Sequence, residues 1–165
     1  MSVTIRPERA GDQSAIRNLV SAAFAGTPHS DGSEPDIVDA LRADGDLAIS
    51  LVAQEGLDIV GHAAFSPVSI ADGSAGWYGL GPVAVAPERQ RRGIGAALIE
   101  RGIAMLHERG AAGCVVLGDP AYYNRFGFAH DPALAYPGPP PEYFQRLVIG
   151  GGAPRGIVTY APAFG

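Results

Sequence analysis

"GPVAVAPERQRRGIGAALI", residues 81–99, changes character twice. Val83 to Val85 are small and β-branched, suited to a strand, and Pro87 stops them. Gln90, Arg91 and Arg92 follow, then Gly93-Ile94-Gly95, then an apolar run whose Leu98, Ile99, Met105 and Leu106 keep helical spacing. A strand that turns on glycines into a helix leaves backbone N–H groups and the positive end of the helix dipole at one point. Glycine there removes the Cβ that would hold a phosphate away from the backbone. The same sequence also suits a plain structural turn, and both readings stand on the turn alone.

Charge narrows the choice of partner. The chain has 12 Lys+Arg against 17 Asp+Glu, a formal net charge of -5 over 165 residues. Nucleic-acid binding needs cations spread across a surface, whereas three arginines crowd into residues 88–92. A small anion fits this distribution, and neither nucleic acid nor membrane is expected as a partner. Two common phosphate loops do not match. No lysine followed by Ser or Thr comes after the glycines, and Leu98 stands where the dinucleotide pattern has its third glycine. The one cysteine, Cys114, excludes an internal disulfide, and in "GCVVLG" it reads as a buried strand residue. With no membrane-length apolar run and no basic leader before a hydrophobic segment, a cytoplasmic location is expected.

Working outward, "MSVTIRP" reads as a strand. Asp12 opens a helix whose Ile16, Leu19, Val20, Ala23 and Phe24 share one face. The turn-rich "TPHSDGSEP" leads to a second helix, "DIVDALRADG", with Ile37, Val38 and Leu41 inward. "LAISLVAQEG", "LDIVGHAAFSPVSI" and "AGWYGLGPVAV" are strand-like runs divided by Gly56 and "ADGSAG", which predicts an antiparallel meander. Beyond the glycine turn, Gly102 is the weak point of the helix. "GCVVLG" then has the uniform apolarity of an inner parallel strand reached by a crossover. Asp119-Pro120 caps the brief helix "AYYNRF", which ends at Gly127. Near the end, "YFQRLVIG" and "GIVTYAP", joined by "GGAPR", are expected to pair as a hairpin. A single domain over 1–165 is expected, with 134–165 a loop and strand segment completing the sheet.

The central stretch resembles the acyl-coenzyme A motif of the GCN5-related N-acetyltransferase (GNAT) family: Gln or Arg, two residues, Gly, one residue, Gly or Ala. Gln90, Gly93 and Gly95 match it. "AYYNRFGF", residues 121–128, resembles the family's signature of tyrosine, three residues, Gly-Phe. The closing "LVIGGG" and "GIVTYAPAF" are similar to a bacterial subgroup of predicted acetyltransferases.

The resemblance implies an α/β, single-domain acyl-CoA N-acyltransferase fold: a mixed, mostly antiparallel sheet flanked by helices, with a splayed central parallel strand pair. It implies transfer of an acetyl or other short acyl group from acetyl-CoA or another acyl-CoA to a primary amine, by direct attack on the thioester and without a metal. By the same resemblance, backbone N–H groups of Arg91, Arg92, Gly93, Ile94, Gly95 and Ala96 hold the pyrophosphate, with Gln90 at the edge. Val83 and Val85 lie along the pantetheine arm, beside a parallel neighbour at Cys114–Leu117. Tyr123 matches the general acid that protonates the departing thiolate; its other reading is an aromatic packed under the short helix.

Two departures from the family pattern stand out. "WYGLGPVAV" has no carboxylate where many members carry a glutamate base, and Leu117 replaces an asparagine six residues before Tyr123. Base candidates are His62, if it faces the cleft rather than the core, and His29, Glu34 and Asp119. His29, Asp31, Glu34, Asp36, Tyr78, Glu142 and Tyr143 are candidate acceptor walls, and their acidic bias suits a cationic amine such as a polyamine, an aminoglycoside or a lysine side chain. The alternative is a non-catalytic coenzyme A-binding sensor or scaffold. Terminal strands make a homodimer a further expectation.

Overall fold

A meander of three antiparallel strands frames the molecule, and everything that shapes the site is hung from it. The computed structural model describes residues 2–28 and 30–165. In chain order the elements are β1 (Val3–Pro7), α1 (Gln13–Phe24), α2 (Glu34–Asp44), β2 (Ile49–Glu55), β3 (Asp58–Pro67), β4 (Ser69–Ile70) and β5 (Trp77–Val85). There follow α3 (Ile94–Glu108), β6 (Gly113–Leu117), α4 (Pro120–Tyr123), β7 (Ala129–His130), β8 (Leu134–Ala135), β9 (Phe144–Val148) and β10 (Gly156–Thr159). The main sheet runs β1-β2-β3-β5-β6-β9-β7, and a smaller sheet runs β4-β10-β8. Within the main sheet β5 and β6 pair in parallel and the other pairings are antiparallel.

Glycines let α3 approach β3 closely. A Cβ at Gly61 would lie 2.9 Å from Ile94 Cγ2 and 3.0 Å from Leu98 Cδ1, and one at Gly102 would overlap the Phe65 ring. The residue that weakens the helix by propensity is therefore the one that admits the largest fully buried side chain. Gly102→Ala is expected to lower stability by about 1–2 kcal/mol, because overpacking outweighs a propensity gain of under about 1 kcal/mol. Denaturant unfolding checks this, and a midpoint equal to or above the parent's would show that Phe65 yields without strain.

The parallel pair opens at the centre of the sheet. Its register runs from Trp77↔Gly113 to Leu80↔Val116 and stops there. On the other side, β5 slips against β3 between Leu80 and Val83, across the cis Gly81-Pro82 bond. Gly81, Pro82 and Val83 are only half-buried in the middle of a sheet whose neighbouring strand is sealed. The splayed pair is thus present, in an α/β fold with helices on both faces.

The terminal hairpin does not form. β9 lies antiparallel to β6, from Gly113↔Val148 to Leu117↔Phe144, whereas β10 pairs with β4 and β8. Of the strands within residues 134–165, β9 joins the main sheet, where β7 flanks it at the edge, and β8 and β10 do not. After β9, the N–H groups of Gly150 and Gly151 donate to the Ala112 carbonyl at 3.1 and 3.2 Å, binding the chain to the start of β6. Val158 of β10 is then buried in a separate cluster with Ile70, Trp77, Val115, Leu134 and Phe144. That apolar cover determines where β10 goes, and sequence adjacency does not. Asp12 differs too: its carboxylate takes Arg6 and the Arg9 N–H instead of capping α1.

Candidate active site

Two adjoining pockets occupy the opening beside β5. The first, about 340 Å³, is bounded by Val83, Ala84, Val85 and Gln90 on one side and by Phe24, Ser30 and Glu34 on the other. At its lower end the chain turns into α3. Gly93 precedes the helix with φ 80°, and the first intrahelical bond to its carbonyl comes from Ala97 N at 3.0 Å. The N–H groups of Ile94, Gly95 and Ala96 lie ahead of that bond, where helix geometry supplies them no acceptor. Among the described residues no side chain caps them. They form a seat for an anion, reinforced by the dipole of a helix of 15 residues.

The residues around this seat divide. Arg91 adopts the left-handed region at φ 65°, a conformation disfavoured for a residue with a Cβ. Arg92 lines a different pocket with Glu55 and Arg89. Gln90 Nε2 donates to the Val85 carbonyl at 3.2 Å, folding its amide back on the strand end. A Cβ at Gly95 would lie 3.5 Å from Tyr122 Oη and 3.6 Å from Val85 Cγ2, so the turn, Tyr122 and the strand converge there.

The second pocket, about 360 Å³, is bounded by the splayed Gly81–Val83, Leu117, Tyr123 and Glu34, with Tyr136, Tyr160 and Phe164. Tyr123 enters it from α4, which Asp119 opens by accepting from Ala121 N at 2.9 Å. Its ring is held edge-on by Phe128, with centroids 6.0 Å apart, and a Cβ on Gly118 would overlap it. Burial, and then the neighbouring Tyr122, push the Tyr123 phenol up to about 12, so it stays protonated at neutral pH. Tyr122 points elsewhere, toward α3, with the Arg125 guanidinium 4.4 Å above its ring.

Glu34, the first residue of α2, lines both pockets and receives a hydrogen bond from Ser30 Oγ at 2.7 Å. It is the one carboxylate that the two share. His62 is placed differently. Fully buried on β3, it lines neither pocket, and its Nε2 shares a 2.8 Å hydrogen bond with Ser50 Oγ, which donates to Glu8. Burial lowers its pKa to about 4, so it is a neutral core imidazole at pH 7. Cys114 is likewise sealed, its thiol pushed up by burial.

Of the expected acceptor walls, only Glu34 reaches the pocket among the described residues; His29 lies outside them. Asp36 pairs with Arg17, Asp31 is tied to Ser33, and Tyr78 packs on the core. Tyr136, Tyr160 and Phe164 take the places expected for Glu142 and Tyr143. For Tyr160 and Phe164 the signal was "TYAPAF", which reads locally as the end of a strand; Tyr136 lies in "ALAYPG".

Comparison with known proteins agrees with this architecture. Residues 4–130 match the family model of the acetyltransferase (GNAT) domain. The uncharacterized N-acetyltransferase YhbS of Escherichia coli strain K12 is 40% identical over 112 residues, covering 64% of this chain and 66% of that protein, just under two thirds. A crystal structure of a GNAT family acetyltransferase from Brucella melitensis in complex with acetyl-CoA superposes with a TM-score of 0.89 at 48% identity, covering 99% of each chain. That of Escherichia coli YhbS in complex with CoA gives 0.89 at 32%, covering 98% of this chain and 91% of the other. The chain belongs to the acetyltransferase (GNAT) family.

Proposed function

We propose that this chain, acting as one domain over residues 1–165, transfers an acetyl or other short acyl group from acyl-CoA to a primary amine, with Tyr123 as general acid and Glu34 as the group that receives the ammonium and takes its proton. The observation that carries the reading is the placement of Glu34 on both pockets, where the groove along Val83–Val85 meets the pocket of Tyr123. Acyl-CoA supplies a thioester already activated toward attack, so the protein's work is alignment and proton handling. Ile94, Gly95 and Ala96 offer their N–H groups to the pyrophosphate. Val83, freed from β6 by the splay, offers backbone to the pantetheine arm. Glu34 replaces the base that β5 lacks, from the opposite wall. His62 organises the Glu8–Ser50 network and does not exchange protons with the acceptor.

Glu34→Gln is expected to lower kcat/KM about a hundredfold at neutral pH. The deficit should narrow as pH rises toward the pKa of the amine, which then arrives deprotonated, while acetyl-CoA affinity stays within a few-fold of the parent's. The check is amine-dependent thiol release across pH beside calorimetric titration of acetyl-CoA. A variant with the parent's rate and profile would remove Glu34 from the chemistry. Acetyl-CoA binding without amine-dependent thiol release by the parent would favour a sensor or scaffold.

A further inference from the structure

We infer that the acceptor is a singly charged primary amine on an aromatic body, an arylalkylamine, and not a polyamine, an aminoglycoside or an anionic amine. The inference rests on the transferase reading for the position of the thioester, and on the pocket wall for everything else.

The two pockets give the site a direction. Phe24, Glu34 and Val83 line both, so they mark the junction. Tyr136, Tyr160 and Phe164 line only the pocket of Tyr123, so they lie beyond it. An amine held by Glu34 therefore presents its nitrogen at the junction and extends its body toward the three rings.

Those rings form a continuous aromatic wall. Tyr136 and Tyr160 meet edge to face with centroids 5.2 Å apart, and Tyr160 and Phe164 do the same at 5.2 Å. Phe144 stacks behind Tyr136 at 5.5 Å. Gly79 fixes the middle ring, because a Cβ there would lie 2.8 Å from Tyr160 Cε2. The Tyr160 hydroxyl is buried, with no hydrogen-bond partner among the described residues, so this residue shows the pocket its ring and not its oxygen. A rigid wall of ring faces and edges favours a flat apolar body.

Charge sets the other limit. Among the described residues lining the pocket, Glu34 is the single charged side chain. A second ammonium would lose hydration with no counter-charge among the described residues, and a carboxylate or phosphate would meet Glu34 with no described cation to balance it. The volume of about 360 Å³ is near the lower end for small-molecule sites and accommodates one ring and a short linker.

The test is calorimetric titration of the protein, with and without CoA, using 2-phenylethylamine, 1,4-diaminobutane and 2-phenylethanol. The aryl amine is expected to bind about tenfold or more tightly than either of the others. Phe164→Ala should remove most of that advantage over the diamine, with Tyr136→Leu as the second variant should the first unfold. Glu34→Gln should bring amine and alcohol together. A diamine that binds as well as the aryl amine, an aryl amine that does not bind, or ring variants that weaken both amines equally would overturn the inference. Acetyl-CoA binding and thiol release, measured on the same preparations, report the transferase reading independently.

Discussion

Gly95→Glu is expected to bind acetyl-CoA about a hundredfold or more weakly than the parent while unfolding at the same temperature or slightly above it. The two effects have opposite signs for one reason. A carboxylate in the first turn of α3 faces the positive end of the dipole and steadies the helix by about 0.3–1 kcal/mol. The same charge occupies the seat that the Ile94, Gly95 and Ala96 N–H groups would offer a diphosphate. A Cβ at Gly95 makes only ordinary contacts, at 3.5 and 3.6 Å, so the alanine variant carries no strain and separates the effect of the charge and longer side chain. Gly95→Ala is the matched control and should bind within about threefold of the parent. Calorimetry and thermal unfolding on all three proteins settle the matter; undiminished affinity in the glutamate variant would return the turn to a structural role.

Tyr123→Phe is expected to reduce kcat by a factor of about 10²–10³ and to leave acetyl-CoA affinity nearly unchanged. The ring remains in its seat between Gly118 and Phe128, and only the proton donor is lost. The direction of the pKa shift matters for the pH profile. A phenol raised to about 12 remains a proton donor until pH rises through that value, so Tyr123 should produce no alkaline limb near the ordinary phenol value of about 10. Steady-state rates across pH 6 to 10 check both statements. A phenylalanine variant with the parent's kcat would make Tyr123 a packing residue.

The glycine turn and the short tyrosine helix were legible in the sequence because their information is local. Gly93 and Gly95 at a strand-to-helix turn, and Asp119-Pro120 ahead of the tyrosine pair, each state their geometry within a few residues. The aromatic wall of the second pocket is not local. Tyr136, Tyr160 and Phe164 come together only because β10 crosses to pair with β4 and β8, and strands of two to four residues leave too little alternation to read. His62 and Glu34 show the same limit in single residues. Which face His62 takes depends on sheet register, and β3 is irregular against both neighbours, next to Ala53 and again at Ala63. Glu34 lies in a polar loop sequence where nothing distinguishes it from Asp31 or Asp36 until α2 is placed. Gly102 is the converse: its cost is visible in the sequence, its purpose only in the Phe65 ring it admits.

The family model ends at residue 130, and Tyr136, Tyr160 and Phe164 all come after it. The splay, the glycine turn and Tyr123 all come before. On the proposed reading the donor is handled before residue 130 and the aromatic wall of the acceptor pocket comes after it, with Glu34 contributed to that pocket by the first stretch. Substitutions in β8, β10 and the closing turn would then reshape the acceptor pocket without altering a residue of the donor seat. A lineage built on this plan can diversify at its carboxyl end while its chemistry stays constant.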